Sequence, residues 1–514
     1  MKAPVVVIGA GVGGLACAID LAARGVAVTL LERAAQPGGK MREVEIDGRA
    51  MDAGPTVFTM RWVFDELLDS AGTSLDAQLD LSADLDLSVD QIAAFAGPAE
   101  AARYRVFCAR AKSVYDTLET PFLRSTRPNP LSLMTRGGLR GLPAMLRISP
   151  FATLWSALGQ HFHDPRLRQL FGRYATYCGS SPFMAPATLM LVSHVERMGV
   201  WRVSGGMHRV AHMLASLAAS LGVTLRYGAQ ADEILVDGRR GANGVRLAGG
   251  ERIDASAVVF NGDAAALSQG LLGRALASAA PAAPRSLSAL TWNLLGRTGG
   301  FELSHHNVFF GADSPREFAD LCARASLPDD PTVYVCAQDC DGAEDDDKVG
   351  AADNTKTAVP ALRRLLCLVN APACDASAPD DEEIERCERR MYERLARCGL
   401  SLQAAAPPIR TTPRDFARLF PGSAGALYGA ASHGWMASFR RPGSRTRIPG
   451  LYLAGGTTHP GPGVPMAALS GRLAASSLMA DMASNRISMP TWRPADTAGG
   501  TSTHSATTAA TGSR

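Results

Sequence analysis

The sequence predicts an α/β fold in which a nucleotide-binding domain is assembled from separated stretches and carries a mixed-sheet substrate domain and a helical subdomain. Three observations predict it. A glycine run, GAGVGG at residues 9–14, stands between the apolar run Val5, Val6, Val7, Ile8 and a helical pattern over 15–24, so its glycines sit at a strand-to-helix turn. A second glycine-rich segment, AGGTTHPGPGVP at 454–465, lies near the other end of the chain. Between them, α/β alternation gives way to helices and then returns. The nucleotide-binding part is therefore expected to be Rossmann-like and discontinuous.

The first turn explains itself residue by residue. Gly9 allows the tight turn, Gly11 lets the backbone approach a pyrophosphate, and Gly14 permits close packing of helix on strand. The helix N-terminus favours the negative charge. A second buried strand over 26–31 ends at Glu32, placed to accept hydrogen bonds from an adenosine ribose. The loop from Arg33 through Pro37, Gly38 and Gly39 brings Lys40 back towards the turn, where it can neutralise a phosphate. Residues 44–52 alternate like one strand and lead into Gly54, Pro55 and Thr56, suited to backbone contacts with a flat ring.

Helices follow, with an amphipathic stretch over 91–118 and another over 186–199. The segment 124–173 holds arginines 124, 127, 136, 140, 147, 166, 168 and 173 against the single acid Asp164, interleaved with Phe151, Leu154, Trp155, Leu158 and Phe162 among others. Two readings fit it: a helix lying in the headgroup region of an anionic membrane, or a packed helix pair with a solvated arginine face. Residues 203–263 return to α/β character, with a helix through 221 and strands at 223–227, 231–236, 244–247 and 258–260. Beyond them lie strands at 332–337 and 365–369 and a helix over 381–398. Residues 450–456 read as a strand and turn, and Gly463, Val464, Pro465 and Met466 open a last helix that can aim its N–H groups and positive end at a phosphate or a polar ring edge. The expected division is 1–90, 203–264 and 440–484 for the nucleotide, 91–202 helical and 265–439 for substrate, with an acidic insertion at 341–354 and a disordered tail at 485–514.

Composition bounds the function. With 514 residues, 46% of them hydrophobic, the chain can bury a large core. Its 52 Lys and Arg against 49 Asp and Glu do not describe a nucleic-acid-coating protein. Ten cysteines without a CxxC pair are expected to be reduced thiols in the cytoplasm, and Cys336 with Cys340 has no second pair of metal spacing. No metal is expected: His208 and His212 share a helical face but lack the acid of an HExxH site, and His161, His163, His305 and His306 read as surface residues. The six-residue N-terminal apolar run is a strand rather than a signal peptide, and no apolar stretch reaches the length of a spanning helix.

The N-terminal VVVIGAGVGGLACAIDLAARGVAVTLLE, the PGGK loop, the DAGPT turn and LYLAGGTTHPGPGVPMAALSG together resemble the carotenoid desaturases of the bacterial phytoene-desaturase type, which share the flavin-containing amine oxidase fold. The stretches GPTVFTMRWVFDELL at 54–68, DPTVYVCAQD at 330–339 and FPGSAGALYGAASHGWMASFRRPGSRTRIPGLYLAGG at 420–456 are most similar to the branch of 1-hydroxycarotenoid 3,4-desaturases, also called methoxyneurosporene dehydrogenases. The resemblance spans roughly 4–483 and spares the acidic insertion and the tail.

That resemblance implies FAD held by Gly9, Gly11, Gly14, Glu32, Arg33, Gly39, Lys40, Gly54, Pro55 and Thr56, with adenine on the Ala231 backbone. It implies Gly455, Gly456, Gly463, Val464, Pro465 and Met466 along the diphosphate, ribityl chain and ring. Lys40 stands where many relatives have arginine, and Gly456 where other flavoproteins have an acid. No cysteine follows Cys398, so the FAD is expected to be noncovalent. The implied reaction removes two hydrogens from the C3–C4 bond of a 1-hydroxycarotenoid, passing electrons to an acceptor left open between a quinone and oxygen. His433, Trp435 and Arg61 are the candidates for substrate chemistry, with the alternative that His433 satisfies a loop backbone and Trp435 packs in the core. An apolar substrate implies peripheral contact with the inner face of the cytoplasmic membrane. Rival readings are a phytoene desaturase, another oxidase on the same fold and a flavin-free prenyl-binding escort.

Overall fold

The computed structural model describes residues 3–83, 88–126, 128, 151–238, 241–339, 362–373 and 378–484. Its central sheet has five parallel strands in the order Leu451–Leu453, Ala257–Phe260, Val5–Ile8, Val28–Leu31 and Thr224–Arg226. All four residues of Val5–Ile8 are buried, the near-continuous apolar pattern of a parallel strand covered on both faces. Strands distant in sequence thus become neighbours, and the two glycine segments both start from the C-terminal ends of parallel strands in one sheet.

The helices Val12–Ala23 and Val464–Ala483 that follow those segments pack almost backbone to backbone. A Cβ on Gly471 would run into the Gly13 carbonyl, and one on Gly13 would lie 2.8 Å from the Gly455 Cα. A Cβ on Gly14 would strike the Gly9 carbonyl, so Gly14 serves the close approach expected of it.

The second large sheet has six strands. It is antiparallel throughout rather than mixed, its strands being His306–Phe309, Val333–Ala337, Arg363–Ala371, Ser288–Gly300, Leu400–Ala404 and Ile409–Thr411. Ser288–Gly300 lies at its centre, unannounced by a sequence that mixes Thr, Asn, Arg and three glycines into an apolar run. Alternation divides this sheet cleanly. Leu290, Trp292, Leu294, Val333, Val335, Leu365, Cys367 and Val369 pack with Ile384, Cys387, Met391 and Leu395 of the helix Asp381–Arg397. Thr291, Tyr334, Leu366, Leu368 and Asn370 face the other way, into a cavity. The helix is held at its start by a capping box, Asp380 with Glu383.

Several expectations are corrected. Residues 44–52 form a hairpin, Glu43–Ile46 and Arg49–Asp52, because Asp47 (φ 49°) and Gly48 (φ 74°) make the two-residue turn that an Asp-Gly pair favours. The stretch 91–118 is two helices, Val89–Ala96 and Pro98–Leu118, broken where Gly97 precedes a proline. Leu154, Leu158 and Phe162 are fully buried core residues, so this part of the arginine-rich segment has the packed-helix reading. Arg124 bonds Glu66 and stacks 4.0 Å from the Trp62 ring centre, and Arg166 pairs with Asp164 over Phe95. Arg127, Arg136, Arg140, Arg147, the acidic insertion, Cys340 and the tail lie outside the described residues. Among the described residues no helix is long and apolar enough to cross a membrane.

Candidate active site

One cavity of about 1740 Å³ runs from the parallel sheet to the antiparallel one. Its size exceeds the roughly 300–1000 Å³ of a site for one small ligand. The first end is built of backbone. Gly9, Gly11, Glu32, Arg33, Gly39, Lys40, Gly54, Pro55, Thr56 and Ala231 line it, as do Gly455, Gly456, Gly463, Val464, Pro465 and Met466. Gly14 alone among the expected cofactor residues stands behind the wall.

Two helix N-termini open on this end. Neither Gly11 nor Gly463, the residues before those helices, offers a capping side chain, so their first N–H groups are left to whatever occupies the cavity. Glu32 is buried, with Oε2 accepting the Ala10 N–H at 2.7 Å and Oε1 the Ala34 N–H at 2.8 Å. Asn261, just past the strand Ala257–Phe260, escaped sequence reasoning. Its Nδ2 donates to the Gly9 carbonyl at 3.1 Å, and a Cβ on either Gly13 or Gly455 would lie 2.7 Å from its Oδ1. No motif signals it, because its position is fixed by two segments far away in sequence.

A pyrophosphate-containing dinucleotide fits these groups: glycine backbones allow close approach, both helix ends favour anions, and Glu32, with two lone-pair sites beyond its two backbone donors, has capacity for a ribose. Lys40 donates to the Leu427 carbonyl at 2.5 Å, its charge set 5.4 Å from the Phe420 ring centre. Burial lowers its pKa, against the pull of Asp263. Arg441 is a second buried cation in the wall, missed in the sequence. It donates to the carbonyls of Tyr428 and Ala430 at 3.1 and 2.8 Å and holds the loop that closes this end.

The far end is built of side chains. Leu118, Phe122, Leu123, Leu189, Val192, Val308, Leu366, Leu368 and Phe439 give it an apolar surface. Trp435 and Phe151 stand edge to face, ring centres 5.3 Å apart, at 43% and 73% exposure, and mark a mouth open to solvent. Polar residues interrupt this surface, Arg173, Thr291 and Asn370 among them, and two hydrogen-bonded groups stand in it. Glu196 accepts from the hydroxyls of Tyr174 and Tyr177 at 2.7 and 3.2 Å. Tyr334 Oη shares hydrogen bonds of 2.7 Å with Thr56 Oγ1 and with His306 Nδ1.

The three substrate candidates separate. Trp435 lines the cavity. His433 does not: its Nε2 accepts the Ser181 N–H at 3.3 Å, the loop-backbone role, and burial lowers its pKa. Arg61 is also away from the wall, paired with Asp65 and Asp76 and lying over Trp201, so it has no approach to a ligand. His305 and His306 are not surface residues; His306 lines the cavity, and both stand with Cys336 in a group whose ligand atoms lie within 4.8 Å of one another. Hydrogen bonds organise that group, His306 to Tyr334 and His305 to Cys336 at 3.6 Å. His208 bonds Asp52 at 3.0 Å and Glu43, holding the hairpin.

The family described as flavin containing amine oxidoreductase matches residues 12–479. The chain is 52% identical to the hydroxyneurosporene desaturase of Rubrivivax gelatinosus over 98% of each chain. It is 43% identical to the hydroxyneurosporene desaturase of Cereibacter sphaeroides, over 93% of this chain and 98% of that one. Among solved structures, an oxidoreductase from Methanosarcina mazei covers 93% of this chain and 100% of its own at TM-score 0.58 and 16% identity, a likeness of fold.

Proposed function

The chain belongs to the flavin-containing amine oxidoreductase family and, within it, to the bacterial carotenoid desaturases, FAD-dependent oxidoreductases of CH–CH bonds, and we propose that it introduces the C3–C4 double bond of 1-hydroxycarotenoids. The observation that carries this reading is the cavity itself: about 1740 Å³, lined by the glycine segments and Glu32 that suit a dinucleotide and also by Leu118, Phe122, Val192, Val308, Leu366 and Leu368, which suit a polyene.

FAD held there would supply the two-electron oxidant for a dehydrogenation in which one carbon gives up a hydride and its neighbour a proton. The protein's part is position and environment. Gly54, Pro55 and Thr56 line the cavity where they would offer backbone to the ring, and Leu366, Leu368 and Val308 line it as an apolar wall that would hold an extended chain. Positive charge developing beside a polyene is delocalised along it, so a strong base in the wall is not required. A compact amine calls for the opposite, a small polar cage.

The mouth at Phe151 and Trp435 is proposed to meet the membrane from the cytoplasmic side, because a carotenoid does not cross water freely. The reoxidant is proposed to be a quinone or oxygen. The test is incubation of the yellow holoenzyme with neurosporene, its 1-hydroxy form and phytoene in liposomes, read by the absorption shift of the product. Conversion of the hydroxylated substrate supports the reading. Turnover of phytoene alone rejects it in favour of a phytoene desaturase.

A further inference from the structure

We infer that Glu196, set between Tyr174 and Tyr177, is the residue that receives the substrate's C1 hydroxyl and so selects hydroxylated carotenoids over hydrocarbon ones. The inference rests on the C3–C4 reading and names the group responsible for it.

A carboxyl group in an apolar wall is costly unless something binds it. Glu196 lies in the helix Leu191–Arg197, whose neighbours Leu191, Val192 and Val195 also line the cavity. Burial raises the Glu196 pKa, while the two tyrosine hydroxyls oppose the rise. Each tyrosine engages a different carboxyl oxygen, Tyr174 Oε2 and Tyr177 Oε1. A carboxylate has about four lone-pair sites, so two remain for a further donor. Tyr177 is 45% exposed and lines the cavity, as Glu196 does. The remaining capacity therefore faces the space a ligand would fill.

Position argues the same way. In the proposed reaction the hydroxyl sits on C1, separated from C3 by two C–C bonds of about 1.5 Å each. Whatever recognises it must stand beside the reacting carbons, not at the far end of a long tunnel. Glu196 is within electrostatic reach of His306, and His306 joins through Tyr334 to Thr56 of the turn expected at the flavin ring. A carboxyl linked in this way to the turn at the nucleotide end suits a substrate that enters hydroxyl end first. A hydrocarbon in the same place would bury the carboxyl without its third partner, which penalises it.

The test uses flavin-saturated full-length enzyme with neurosporene and 1-hydroxyneurosporene in liposomes, reading kcat/KM for each. Glu196→Leu is expected to lower the preference for the hydroxylated substrate by at least about tenfold, and Tyr177→Phe by about threefold, with bound flavin unchanged. A fall of equal proportion on both substrates overturns the inference and makes Glu196 a structural or proton-handling group. If Glu196→Leu does not accumulate as folded protein, the Tyr177→Phe ratio decides, and no change in that ratio overturns the inference. Preference of the wild type for neurosporene rejects the C3–C4 reading itself, and the inference with it; a wild-type preference for the hydroxylated form combined with an unchanged variant ratio rejects the inference alone.

Discussion

The two ends of the cavity are made of different material. At the nucleotide end the wall is largely glycine-rich backbone from both ends of the chain, with Glu32, Lys40, Asn261 and Arg441 set into it. At the substrate end they are side chains from the antiparallel sheet and the helices beside it. Backbone contacts demand particular residues at particular spacings, whereas an apolar wall accepts any side chain of suitable size. The first end is therefore expected to be intolerant of small changes and the second to yield gradually.

The largest effect tests that contrast directly. Gly14→Ala drives a methyl into the Gly9 carbonyl, which has no rotamer with which to retreat, and is expected to cost about 3 kcal/mol or more. The protein should purify with little flavin absorbance; a fully yellow variant would break the claim that this turn tolerates no Cβ.

His459 ties the two ends together. It belongs to the second glycine segment, is 2% exposed, and its Nε2 donates to the Phe122 carbonyl at 2.9 Å. Burial lowers its pKa from 6.5 to about 4, so the fold holds the neutral ring. Its contribution is complete above pH 6.5 and is lost as pH falls towards 4, up to ~3 kcal/mol at ~1.4 kcal/mol per unit of pKa. Urea midpoints at pH 4.5 and 7.5 should differ less for His459→Gln than for the wild type. Equal slopes would remove His459 as a link.

Glu32→Ala leaves the Ala10 N–H without its acceptor and takes away the ribose partner. FAD affinity measured by titration of the apoprotein should drop about tenfold, or 1–2 kcal/mol, with turnover of the loaded enzyme preserved. The smallest effect belongs to the mouth. Trp435→Ala is expected to raise KM for carotenoid in liposomes about threefold, under ~1 kcal/mol, and leave flavin content alone. A kcat loss larger than the KM change would move Trp435 from the mouth to the reacting carbons.

Legibility followed the same division. The strand, turn, helix and Glu32 are adjacent enough in sequence to be read as one unit, and the structure puts them together. Asn261 and Gly13 were not legible as a contact, since their meeting depends on two parallel strands pairing across more than two hundred residues. The hairpin at Asp47 and Gly48 was legible in principle, through the Asp-Gly pair, and was obscured by continuous alternation on either side. His433 and Arg61 lie near flavin-binding segments in sequence, which does not give side-chain direction: His433 turns to Ser181, the loop-backbone alternative, and Arg61 to Asp65 and Asp76.

Glycine spacing, the acid at the end of the second strand and the apolar runs by themselves determined that this protein holds a dinucleotide, because those requirements are local. Which residues face the cavity was decided only by tertiary structure. Period-two alternation separates Trp292 from Thr291 and Cys367 from Leu368, but it does not say which face meets a helix and which a cavity. Packing of the helix Asp381–Arg397 on one side settled that, and left Tyr334, His306 and, from a different element, Glu196 on the other.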